Sequence, residues 1–123
     1  MVKLSEKQFE KIVAQALDDM PEWVSQKMDN LAIVIRPWPS SQQVRKAQKK
    51  GKMLLGLYEG VPLTRRGHAY RLVPPDQITL FQEPLQRAAQ DEQELVQLVR
   101  RTVIHEIGHH FGFSEQELNR LGL

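Results

Sequence analysis

An amphipathic helix at the start, two or three short apolar runs in the middle and a long amphipathic helix near the end predict a small α+β domain. With 123 residues the chain has room for a single domain, expected over residues 1–123. A domain of this size buries a core without disulfides, and the chain has no cysteine to form one. The absence of cysteine also removes thiol nucleophiles and thiolate metal sites. Any bound metal must therefore use His, Asp, Glu or water.

Each element has a local cause. Ser5-Glu-Lys-Gln8 has the form of a capping box, and Phe9, Ile12, Val13, Ala16 and Leu17 follow at helical spacing until Pro21 ends the helix. Residues 22–28 add a short helical turn that packs Trp23 and Met28 on the core. The run at 31–35 reads as a buried strand closed by Pro37 and Pro39. Residues 44–50 read as a polar, weak helix or a loop. A second strand spans 53–58 before a turn at Gly60, and 70–73 forms a short extended piece in a stretch rich in turn formers. Ile78-Thr-Leu-Phe81 is the last strand, stopped by Pro84. Asp91-Glu-Gln-Glu94 offers a second capping box, and Leu95, Val96, Val99, Val103 and Ile107 carry an apolar stripe toward Gly112.

The longest apolar run, 31–35, is far below the roughly 20 residues a membrane helix needs. The opening Met1-Val-Lys-Leu-Ser-Glu-Lys lacks the apolar stretch of a secretory signal, so a cytoplasmic location with no membrane partner is expected. Charge is uneven. Residues 36–71 hold nine Lys or Arg against one acid, Glu59. Such a bias attracts anionic partners, nucleic acid among them. No aromatic residue interrupts 45–52 to stack on bases, which favours a solvated basic surface instead.

The chemistry concentrates in His105-Glu106-Ile107-Gly108-His109. Two histidines four residues apart lie on one face of a helix, one turn above the other, and both reach a single tetrahedral zinc. Glu106 borders that line. A carboxylate there accepts a proton from water acidified by the metal, so Glu106 is the expected general base. The helical context that this motif requires is present: the stripe through Val103 and Ile107 marks the buried back of the helix, and the histidines fall beside it.

A catalytic zinc needs a third protein ligand and an open position. Gly112 is placed to end the helix in a left-handed turn. Glu115, ten residues after His105, stands where the metzincins, which this motif resembles, place a third ligand, usually His or Asp. Ser114-Glu-Gln-Glu117 also looks like a capping box for a last short helix, in which Glu117 serves the cap and Glu115 sits in the first turn. His110 lies about 100° around the helix from His109 and reads as packed or exposed rather than as a ligand. His68 is an alternative incoming ligand, and Tyr58 and Tyr70 are candidate oxyanion donors that no spacing singles out.

The run His-Glu-Ile-Gly-His-His-Phe-Gly-Phe-Ser-Glu, together with Leu-Leu-Gly-Leu-Tyr-Glu-Gly-Val-Pro-Leu-Thr at 54–64 and Ile-Thr-Leu-Phe-Gln-Glu-Pro at 78–84, resembles the minimal zincin-like metallopeptidase family of bacteria, with its matrix-metalloprotease-like domain. The resemblance spans most of the chain. It implies a small zincin-like domain with an N-terminal helix, a short three- to four-stranded mixed sheet and a long active-site helix. It implies His105, His109 and Glu115 as ligands to one zinc per chain, with Glu106 as base. It also implies that Ile78, Thr79, Leu80 and Phe81 form an edge strand that pairs with an extended peptide substrate. Two departures from the metzincin pattern, no methionine after Met53 and no lower subdomain before Leu123, imply a shallow cleft or one completed by a partner.

The leading expectation is thus a cytoplasmic zinc metallopeptidase, a hydrolase of peptides or flexible protein segments. One alternative is a zinc endoribonuclease-like hydrolase, suggested by the basic stretch but not by Glu106. Another is a non-catalytic peptide-binding module.

Overall fold

The computed structural model describes residues 2–29, 31–47, 53–60 and 76–122. Helix α1 (Glu6–Leu17) begins at the expected box: the Ser5 hydroxyl accepts from the Gln8 amide at 3.1 Å, and the Ser5 amide donates to the Gln8 side chain at 2.9 Å. Helix α2 (Glu22–Met28) follows Pro21 and sets Trp23 and Met28 against the core. Strand β1 (Leu31–Arg36) comes next. Then α3 (Ser41–Ala47) takes up the helical alternative expected over 44–50, starting three residues earlier, and residues 48–50 lie outside the described residues. Its start is a capping box in Ser40-Ser-Gln-Gln43, with reciprocal bonds of 2.9 and 3.1 Å, a sequence signal that the polarity of the segment conceals.

Strand β2 (Gly56–Gly60) starts three residues later than expected and ends two later, and β3 (Asp76–Phe81) runs into α4 (Gln82–Ala88). Pro84 does not stop the strand. It lies in the first turn of α4, where amides have no partner inside the helix and a proline is tolerated. The expected extended piece at 70–73 lies outside the described residues.

The sheet is mixed, in the order β1-β3-β2, with β1 parallel and β2 antiparallel to β3. This order corrects the expectation that 78–81 form an edge. Ile78, Leu80 and Phe81 are fully buried and Thr79 nearly so, because β3 is the central strand, hydrogen-bonded on both sides and covered on both faces. Its edges are already taken, so Ile78, Thr79, Leu80 and Phe81 cannot receive an added strand. β1, expected to be buried, is half-buried at the opposite margin.

Alternation along β3 divides the core. Ile78 and Leu80 join the main cluster with Phe9, Val13, Leu95, Val99 and Val103. Phe81 joins Leu54 and Leu57 in a second cluster, over which Ala47 of α3 packs. Helix α5 (Glu92–His110), capped by the Asp91 carboxylate on the Glu94 amide at 2.7 Å, lies across the main cluster. Leu95, Val99, Val103, Ile104 and Ile107 are all fully buried, each worth about 1.5–3 kcal/mol of transfer from water. Among the described residues, no helix is long and apolar enough to cross a membrane.

Candidate metal centre

Three residues of the C-terminal segment are brought together by two glycines. Helix α5 ends in a left-handed turn: Gly112 has φ 93°, its amide donates to the His109 carbonyl at 3.1 Å, and the Phe113 amide donates to the Gly108 carbonyl at 2.8 Å. These are the paired bonds of a Schellman stop, and they reverse the chain. Phe113 then rests against Trp23 of α2, with ring centroids 5.3 Å apart. Helix α6 (Glu115–Arg120) starts at the Ser114 box, in which Glu117 completes the cap as expected.

Gly108, inside the motif, sets how closely α6 returns. A Cβ there would stand 2.7 Å from Leu118 Cδ2, and Leu118 is fully buried. Glycine costs a helix interior about 1 kcal/mol relative to alanine, so its presence here reflects close packing rather than propensity. With Leu118 seated on Gly108, the first residue of α6 faces the histidines.

That residue is Glu115. Its Oε1 lies 3.0 Å from His105 Nδ1 and 3.0 Å from His109 Nε2. The hydrogen bond to His105, supported by the charge of both imidazoles, lowers the Glu115 carboxyl below its ordinary pKa, although desolvation opposes the shift. His105 is nearly covered, with 15% of its side chain exposed, whereas His109 and Glu115 are open to solvent at 42% and 56%. One donor atom from each of the three lies within 4.8 Å of the others. Ligand atoms about 2.0–2.1 Å from a tetrahedral zinc stand roughly 3.3 Å apart, close to the two 3.0 Å separations that Glu115 makes. Two imidazoles and one carboxylate are also a donor set suited to a catalytic zinc with an open position.

Glu106 lies beside this triad on the wall of the same cavity. Its Oε1 accepts the backbone amide of Tyr58 at 3.0 Å. Among the described residues β2 pairs only with β3, so this amide points off the sheet edge, and α5 occupies it with the Glu106 carboxylate. The close approach depends on Gly56: a Cβ there would meet Thr102 Cγ2 at 2.8 Å. Nothing in the motif's spacing indicates Gly56 or the Tyr58 amide. They become visible only when the topology places β2 beside α5.

His110 turns away from the triad, as its helical position requires. Its ring stacks on Tyr58 at 3.8 Å between centroids with 17° between planes. The Tyr58 hydroxyl donates to Asp76. Burial, then that hydrogen bond, raise the phenol above its ordinary value. Tyr58 is thus committed to Asp76 and His110 rather than directed at the cavity. Tyr70 and His68 lie outside the described residues.

A model of the zincin-like metallopeptidases matches residues 28–123. The chain belongs to that family. No curated protein sequence matches it. Among solved structures, a conserved hypothetical protein from Thermus thermophilus superposes with a TM-score of 0.56 at 19% identity, over 87% of this chain and 94% of that one. At that identity the likeness concerns the fold. Membership of the zincin-like metallopeptidases brings with it a general expectation of metal-dependent, peptidase-like chemistry, and the His105, His109 and Glu115 cluster is compatible with zinc.

Proposed function

We propose that this protein is a zinc-dependent peptidase in which His105, His109 and Glu115 hold the metal and Glu106 is the general base. The observation that carries the reading is the single Glu115 oxygen 3.0 Å from a nitrogen of each histidine, with the Glu106 carboxylate on the same cavity wall. Zinc bound there would polarise a substrate carbonyl and make water acidic enough to lose a proton near neutral pH. Glu106 takes that proton and returns it to the leaving nitrogen. The Tyr58 amide fixes one Glu106 oxygen and so orients the carboxylate without neutralising it.

The substrate is an extended peptide laid in the open cavity that β2 and α5 line. The edge next to the base belongs to β2, not β3. Gly56, two residues before Tyr58, presents its backbone on the same side of the strand, because the direction of the backbone groups repeats every second residue. A peptide strand has polar backbone to meet there.

The ribonuclease reading draws no support from the described residues. Of the basic stretch, Lys46 is engaged with Glu59 at 3.3 Å, and α3 packs on the sheet face away from α5. The deciding experiment is Glu106→Gln assayed against a mixture of unstructured peptides. Zinc content is expected to stay near that of the parent while hydrolysis falls by about 10²–10⁴-fold. Unchanged turnover would remove Glu106 as base.

A further inference from the structure

The cavity that contains the triad extends along α5 toward its N-terminus, and its two ends differ in charge. Leu98, Arg101, Thr102, His105, Glu106 and His109 share one side of the helix and line it, facing Met53, Leu55 and Gly56 across the gap. The metal end carries two carboxylates, Glu106 and Glu115. The far end carries Arg101, the only lysine or arginine lining the cavity among the described residues. Arg101 is exposed and has no ion-pair partner among them, whereas its neighbour Arg100 donates to the Asp19 carbonyl. Leu98, one turn before Arg101, and Met53 and Leu55 across the gap give the cavity apolar wall. Met53 is 51% exposed, beside partly buried Leu55 and Leu98.

We propose that this extension is a specificity subsite for a peptide bearing an apolar side chain beside a carboxylate, with Arg101 pairing the carboxylate. The inference rests on the peptidase reading above. The volume, about 290 Å³, holds one or two side chains. Arg101 precedes His105 by one turn, about 6 Å along the helix, which corresponds to roughly two residues of extended chain. A carboxylate about two residues from the cleaved bond therefore reaches the guanidinium, which grips it through paired, charge-assisted hydrogen bonds. The apolar walls cover the side chain next to that carboxylate. The carboxylate is either the substrate's C-terminus, which makes the enzyme a trimmer of chain ends, or an Asp or Glu side chain, which makes it an endopeptidase.

The test uses zinc-loaded Glu106→Gln protein, so that binding is read without turnover. The probes are an acetylated peptide of alanines around a central leucine, ending in a free carboxylate or a carboxamide, and carboxamide forms with glutamate replacing each alanine in turn. One or more carboxylate forms are expected to bind at least about tenfold more tightly than the plain carboxamide. Adding Arg101→Gln is expected to erase that difference, and Arg101 is exposed, so the fold should tolerate the change. Preference for the free acid alone identifies chain ends, and preference for one glutamate position identifies an internal acid. Equal binding of all forms, or a preference that survives Arg101→Gln, overturns the proposal. So does tighter, Arg101-dependent binding of a single-stranded oligoribonucleotide. Parallel hydrolysis by the parent protein separates the two readings. Cleavage without carboxylate preference sinks the subsite and leaves the peptidase, whereas Arg101-dependent binding without cleavage leaves the subsite and sinks the peptidase.

Discussion

Over residues 92–103, α5 presents Leu95, Val99 and Val103 to the core it shares with α1, all fully buried. Over its last two turns the same helix presents His105, Glu106 and His109 to a cavity open to solvent. The first half is held by area: many nondirectional contacts, none individually decisive. The second half also buries Ile104 and Ile107, but its functional face is set by a few specific contacts, namely Leu118 on Gly108, the Gly112 turn and the Tyr58 amide on Glu106. Loss of one contact should therefore lower stability in the first half and displace a ligand in the second.

Leu95→Ala is the sharpest test of the buried half. Deleting this side chain is expected to cost about 2–5 kcal/mol, seen as a lower urea midpoint with an unchanged slope. Zinc affinity, measured well below that midpoint, should remain that of the parent. A large loss of affinity would show that the two halves are not separable. Gly108→Ala probes the other half. Alanine is the better helix former, yet its methyl group pushes Leu118 and α6 outward and carries Glu115 away from the histidines. Zinc affinity in a chelator competition should fall about tenfold, in the range usual for groups that orient a ligand. An unchanged affinity would mean that Glu115 is not placed by that contact.

The smallest effect concerns the edge that touches both halves. The folded-state pKa of Tyr58 is raised by burial and by its bond to Asp76, so its contribution to stability is fully present below the unfolded value of about 10 and is lost as pH rises above it. In a Tyr70→Phe background, ultraviolet titration should show no tyrosinate at pH values that ionise the unfolded chain. Asp76→Asn should bring the transition down. An ordinary titration in the parent would contradict the Tyr58–Asp76 bond.

What is legible in the sequence and what is hidden follow the same division. Capping boxes at Ser5 and Ser114, the apolar stripe of α5, the glycine stop and the ten-residue step from His105 to Glu115 are all local, and a linear reading reaches them. The central place of β3 is not legible, because an apolar run fits a central strand and an edge strand equally well, and only pairing distinguishes them. Gly56, Gly108 and Arg101 escape a linear reading because their importance lies in what faces them across the fold. Helix α3 is legible as a weak polar helix, though not its start at the Ser40–Gln43 box, and α4 is hidden by Pro84 in its first turn.

The central claim is that one metal is held by His105, His109 and Glu115. Its most direct test is metal content by mass spectrometry on protein purified without chelator or affinity tag, for the parent and for Glu115→Ala. About one zinc per chain in the parent and a clear loss in the mutant is the predicted result. Equal zinc in both, or none in the parent after incubation with zinc, would contradict it.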